Sequence, residues 1–291
     1  MLAQLPSRNR GRLRAADPLN RKPRVCRQGL PEMCPHFDKP RLWEERLFNP
    51  DLSIDCVDVW KVNLDEPLSS PPPLTILSSD ELTRSSRFRF GEDRLHFVRC
   101  RSALRLLLGD YLRIPAAELR FEYQPGGKPE VADQQNPGQL QFNVSHSGSL
   151  ALIAVSAGHR VGVDIERVRG DVDTMSLAEQ FFSPRERDGL LSLPDDLRLA
   201  AFFSTWTRKE SFLKAIGDGL SFPLADFSIT THPELDPVIE EVRGDTNVGK
   251  QWSLVTLGRI DGYCAAVAVE GMFSRLETYV MSDAGWYVHS R

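Results

Sequence analysis

Apolar and polar positions alternate with a period of two along residues 55–62, which predicts an opening strand. The Ser-Ser-Pro-Pro-Pro run at 69–73 reads as a loop. Ser79-Asp80-Glu81 has the composition of a helix start and leads into 82–90. Between 93 and 112, Leu95, Phe97, Val98, Ala103, Leu104, Leu107, Leu108 and Leu112 recur at helical spacing, with arginines on the other faces. Gly126-Gly127-Lys128-Pro129 is a turn. Strands are expected at 141–144 and 150–157, joined by Ser145-His146-Ser147-Gly148, and again at 161–168. Residues 182–191 and 195–217 are helical, the second stopping at Gly217, a residue suited to a helix C-cap. Closing strands are expected at 227–230, 252–257 and 263–269.

Helix and strand therefore recur in two comparable halves, 51–160 and 161–275, without a close internal repeat. Residues 1–50 form an N-terminal extension, and 276–291 are expected to be peripheral. The mixture reads as an α+β protein. A chain of 291 residues that is 41% hydrophobic and 26% charged can bury such a core. It contains no apolar run long enough to span a bilayer. The five cysteines, Cys26, Cys34, Cys56, Cys100 and Cys264, are odd in number and scattered, so a reducing, cytoplasmic setting is expected.

Charge changes the picture at the N-terminus. Residues 1–32 hold eight basic groups and two acidic ones, out of 36 and 40 in the whole chain, leaving 28 basic and 38 acidic residues elsewhere. An acidic body argues against a nucleic-acid interface. The basic, proline-rich leader reads as a disordered tail, as an organellar transit peptide, or as residues ahead of a true start at Met33.

Three clusters carry candidate chemistry. In Val161-Gly162-Val163-Asp164-Ile165-Glu166, the apolar residues share one strand face, while Asp164 and Glu166 share the other, roughly 7 Å apart. They are either ordinary acids on a solvated edge strand or a pair that needs a cation between them. On the helix 202–216, Phe202, Trp206, Leu213 and Ile216 make an apolar face, and Glu210 and Lys214 stand four apart. That spacing suits a surface ion pair worth ~0.3–0.5 kcal/mol, or a carboxylate and ammonium offered to a phosphorylated ligand and its metal. Asp164, Glu166 and Glu210, with no cysteine or paired histidine, form a donor set for a hard cation such as Mg2+. The third cluster, Asn143-Val144-Ser145-His146-Ser147-Gly148, is either a polar turn or a hydroxyl and imidazole placed on phosphate oxygens.

Taken in order, Gly127-Lys128-Pro129, Asn143–Gly148, Val161–Glu166, Phe182-Ser183 and the run Trp206-Thr207-Arg208-Lys209-Glu210-Ser211-Phe212-Leu213-Lys214-Ala215-Ile216-Gly217-Asp218-Gly219-Leu220 closely resemble the Sfp-type 4′-phosphopantetheinyl transferases. The GVDIE block and the W-x-x-K-E-S-F-x-K-A-x-G-x-G-L block, about 45 residues apart, are the specific part. Arg87-Phe88-Arg89-Phe90 and Asp93-Arg94 also look like the family's first half. The resemblance spans roughly 57–269.

The resemblance implies a pseudo-twofold pair of α+β halves with coenzyme A in the cleft between them. It implies transfer of the phosphopantetheine arm to a serine of an apo acyl or peptidyl carrier protein, releasing adenosine 3′,5′-bisphosphate. Asp164, Glu166 and Glu210 match the Mg2+ positions, Glu166 being absent from some members. Glu210 also matches the general base, and Lys214 the pyrophosphate lysine. Ser145 and His146 match residues at the adenosine 3′-phosphate, Lys128 sits at the nucleotide-binding turn, and Arg84 and Arg87 match a basic pair on coenzyme A phosphate. A monomer is expected. Two rival readings are a Mg2+-dependent phosphohydrolase or nuclease built on the same acids, and a degenerate binding module. The complete set of three acids and Lys214 speaks against decay.

Overall fold

A computed structural model of the chain describes residues 43–45, 55–65, 74–124, 126–217 and 222–281. The basic leader, Cys26 and Cys34, the loop expected at 69–73 and the Asp218-Gly219-Leu220 motif end lie outside the described residues. The first half runs β1 (Glu44–Glu45), β2 (Cys56–Asn63), α1 (Ser79–Ser85), α2 (Gly91–Leu112), β3 (Phe121–Tyr123), β4 (Pro129–Val131), β5 (Leu140–Ser147) and β6 (Leu150–Ala157). The chain continues through β7 (Val161–Arg167), α3 (Thr174–Phe181), α4 (Pro184–Ser192), α5 (Asp195–Ile216), β8 (Phe227–Ile229), β9 (Ile239–Val242), α6 (Thr246–Gly249), β10 (Trp252–Thr256), β11 (Tyr263–Glu270) and β12 (Arg275–Val280). Among the described residues no helix is long and apolar enough to cross a membrane.

Each half packs one long helix on a sheet. Leu104, Leu107 and Leu108 of α2 meet Trp60, Phe142 and Ile153 of the five-stranded sheet β1-β12-β2-β6-β5. In the second half, Phe202, Trp206 and Phe212 of α5 meet Phe182, Phe227 and Leu254, over the three-stranded sheet β10-β11-β7. A third apolar cluster joins the sheets, with Val57, Val59, Leu152 and Ala154 against Val161, Val163, Ile165 and Val267. Strand β6 thus buries both faces, one under α2 and one against the other sheet. This is why Leu150–Val155 is an unbroken apolar run rather than an alternating one.

Two expectations change here. Residues 276–280, expected to be peripheral, belong to β12, which pairs in parallel with β2 and carries β1 on its other edge. Leu276 and Tyr279 are buried. Arg275 and Glu277 give the segment a surface composition, and its partner lies more than 200 residues back, so local pattern could not place it. The second change is at Ser145-His146-Ser147, which does not join two strands. It is the end of β5, paired with Leu152, Ala151 and Leu150 of β6, and only Gly148-Ser149 turns.

Close approach of β7 to α5 depends on Gly162. A Cβ on this residue would collide with the Ser211 carbonyl oxygen and the Ala215 backbone. Neither atom can yield, because both belong to helix backbone. We expect Gly162→Ala to push β7 off α5, with destabilisation of several kcal/mol in urea unfolding. A variant within ~0.5 kcal/mol of the parent would contradict this packing.

Candidate active site

The acids lie where β7 meets α5. Val161, Val163 and Ile165 fill the inter-sheet core, so Asp164 and Glu166 point to the other face, as the alternation implies. That face is not solvated, however: α5 covers it, leaving Asp164 3% and Glu166 6% exposed. Glu210, half-buried on α5, and Lys214 one turn further complete the cluster. Of the two readings of Glu210 and Lys214, the surface ion pair does not form. Instead the Lys214 Nζ donates to Asp164 Oδ1 at 2.6 Å and to Ser145 Oγ at 2.7 Å.

Strand β5 supplies the rest of the floor. Asn143, Ser145 and Ser147 occupy alternate positions, so all three side chains point the same way, and all are buried. Each bonds to β7, the neighbouring edge of the other sheet. Val163 N donates to Asn143 Oδ1 at 2.9 Å. Ser145 Oγ donates to Asp164 Oδ1, and Ser147 Oγ to Glu166 Oε2, both at 2.8 Å. Side chains thus do the work of a missing backbone ladder between the halves. Asn143 and Ser147 had no assigned role in the sequence reading; their period-two spacing with Ser145 was the available signal.

The electrostatics follow from burial and crowding. Desolvation, then the Asp164 charge, raises the Glu210 pKa to about 7. The same two causes, in the same order, raise the Glu166 pKa. Asp164 Oδ2 and Glu210 Oε1 are buried without a hydrogen-bond partner. Two orphaned carboxylate oxygens are what a hard, oxygen-seeking cation would satisfy. Among the described residues, however, the acids and imidazole whose ligand atoms already lie within 4.8 Å of one another are Asp65, Glu92 and His96.

The remaining expected residues spread outward from this centre. His146 lies on the opposite face of β5 from Ser145 and reaches solvent. Desolvation and then the Lys214 ammonium lower its pKa. Arg84 and Arg87 line an open cavity of about 830 Å³ against α1, together with Phe88 and Tyr123. None of the three acids lines it. Helix α1 is held by Glu81, whose carboxylate takes Arg101 Nε at 2.7 Å, Arg105 Nε at 2.6 Å and Ser78 N at 3.0 Å. Lys128 turns inward: its Nζ donates to Val161 O at 3.2 Å and more weakly to Ala215 O at 3.5 Å, and desolvation lowers its pKa to about 8. Its ammonium clasps the two halves at the C-terminal end of α5.

Phe182-Ser183 and Lys209 prove to be supports. Ser183 caps α4, with Glu186 Oε2 accepting from Ser183 N at 2.9 Å in a capping box. Glu186 also receives Lys209 Nζ, at 2.6 and 2.8 Å, both side chains being fully buried. Lys209 gives a further bond to Phe227 O at 2.6 Å. This pair ties α4 and β8 to the helix turn that carries Glu210.

Comparison with known proteins identifies the family. A family model described as the 4′-phosphopantetheinyl transferase superfamily matches residues 160–268, and one described as 4′-phosphopantetheinyl transferase, N-terminal, matches 72–158. The 4′-phosphopantetheinyl transferase HetI of a Nostoc species is 40% identical over 230 residues, covering 79% of this chain and 94% of its own. The chain belongs to the 4′-phosphopantetheinyl transferase superfamily. The transferase Sfp of Bacillus subtilis is 31% identical over 194 residues, covering 62% of this chain and 80% of its own. A crystal structure of holo-[acyl-carrier-protein] synthase from Thermotoga maritima aligns with TM-score 0.30 and 23% identity, over 38% of this chain and 62% of that one. As a transferase of this superfamily, the chain places its two matched segments on either side of the β5–β7 seam, with the acids in the second.

Proposed function

We propose that the protein transfers the 4′-phosphopantetheine arm of coenzyme A to a serine of an apo acyl or peptidyl carrier protein, releasing adenosine 3′,5′-bisphosphate. The observation that carries this reading is the electrostatic coupling of Glu210 to Asp164, Lys214 and Glu166 at one seam, in a chain similar to HetI over most of its length. In the transfer, the serine oxygen bonds to the phosphorus bearing the pantetheine, and that phosphorus loses its bridging oxygen to the nucleotide. Glu210, with a pKa near neutrality, accepts the serine proton. Lys214 is placed to neutralise the phosphate that leaves with the electron pair. Arg84 and Arg87, which line the open cavity against α1, suit the nucleotide phosphates.

Asp164, Glu166 and Glu210 would hold a Mg2+, an assignment supported by the all-oxygen donor set and the two orphaned oxygens. Bound there, the ion would neutralise charge on the diphosphate. We place the protein in the cytoplasm as a monomer, a reading supported by the free thiols of Cys56, Cys100 and Cys264 and by the presence of both halves in one chain.

The test is incubation with coenzyme A, Mg2+ and a panel of apo carrier proteins, read by intact mass. One added phosphopantetheine is expected on at least one carrier. Coenzyme A cleaved with no carrier modified would favour phosphohydrolysis instead.

A further inference from the structure

We infer that Ser147 is a positioning residue: its hydroxyl, contributed by the first half, fixes the orientation in which the second half presents Glu166 to a cation. The inference rests on the metal reading of the three acids.

A serine hydroxyl has one proton to give, and its direction is set by what the oxygen accepts. Ser147 Oγ accepts the Arg167 backbone N–H at 3.1 Å, which leaves the proton for Glu166 Oε2 at 2.8 Å. The donor is rigid, since Ser147 is 6% exposed and its backbone is paired with Leu150 in the β5–β6 ladder. Glu166 has three side-chain torsions, and a glutamate carboxylate is free to rotate unless an oxygen is tied. With Oε2 held by Ser147, the remaining lone pairs of the carboxylate have a defined direction. Ser145 stands in the same relation to Asp164, two residues earlier on each strand, but it also accepts Lys214. Ser147 serves Glu166 without any contact to Lys214, so its effect can be separated from that of the lysine.

Groups that hold a ligand in place, without touching the metal, typically change metal affinity 10–100-fold when removed. Metal binding and coenzyme A binding must be reciprocally linked if both meet at the same diphosphate. The informative quantity is therefore the gain in coenzyme A affinity that Mg2+ produces, measured by calorimetry in Mg2+ and in chelator.

In the parent protein the gain is expected to be clear. In Ser147→Ala it should fall by about tenfold, with coenzyme A affinity in chelator unchanged and the protein folded, its thermal midpoint lowered only as the loss of one buried hydroxyl requires. Ser147→Thr, which keeps the hydroxyl, should restore it. A full Mg2+ gain in Ser147→Ala would overturn the inference. So would equal weakening in Mg2+ and chelator, failure of Ser147→Ala to fold, or no recovery in Ser147→Thr, each of which makes the residue merely structural. If the parent itself shows no Mg2+ gain, the metal reading fails, and the role assigned to Ser147 goes with it.

Discussion

Glu210→Gln should lower transfer by ~10²–10⁴-fold while making the folded protein more stable above neutral pH. The two effects have one cause. Burial and the Asp164 charge raise the Glu210 pKa from its ordinary carboxylate range to about 7, so the folded protein holds this proton more tightly than the unfolded chain does. Where the native state binds more protons, stability falls as pH rises. The stabilising contribution of the protonated group is complete below the unfolded pKa near 4.5, and is lost as pH climbs to about 7. Glutamine keeps the shape and removes the ionisation, so its unfolding curve should be flatter across that window. Thermal unfolding in chelator, without coenzyme A, from pH 4.5 to 8 reads the slope directly, and carrier modification reads the activity. Parallel pH profiles for parent and variant, or near-parent transfer, would remove Glu210 from its assigned place. Asp164→Ala should abolish transfer as well, and it also frees Lys214 from its 2.6 Å partner.

Lys209→Met should be the most destabilising of the motif substitutions, by about 3–5 kcal/mol. Although Lys209 precedes the proposed base in sequence, it points away from the acids and pairs with Glu186, both fully buried. Its pKa drops to about 8, because desolvation outweighs the attraction of Glu186. Removing the lysine strands the Glu186 carboxylate in the core and takes away the donor to Phe227 O. Pairing the change with Glu186→Gln should recover part of the loss, because the uncompensated charge is then gone. Urea unfolding of the parent, both single variants and the double variant closes the cycle. Additive losses would show that the pair is not coupled.

Much of the site was legible before any coordinates, and the reasons for the gaps are physical. The alternation in Val161–Glu166 correctly puts two acids on one face, and Gly217 ends α5 with φ 89°, the left-handed value that favours glycine there. Period alone cannot say what covers a face. The acid face of β7 looked open, and the helix that closes it is set by Gly162 and by contacts some fifty residues apart. The same limit hid Lys209 and Arg208, which the helical pattern left without a partner, yet α5 buries both. The partner of Lys209 was partly readable, since Ser183 and Glu186 have the spacing of a capping box. Ser145-His146-Ser147 has turn composition, and only the register with β6 makes it a strand. That extension moves Ser145 from a phosphate-binding turn to the floor of the acid cluster, with Ser147 beside it.

The most direct measurement is intact-mass analysis of an apo carrier protein after incubation with the full chain, coenzyme A and Mg2+, alongside the Asp164→Ala and Glu210→Gln variants. A gain of one phosphopantetheine per carrier with the parent, absent with both folded variants, is the expected result. An unmodified carrier across the whole panel, or equal modification by parent and variants, would contradict transfer at the β7–α5 seam.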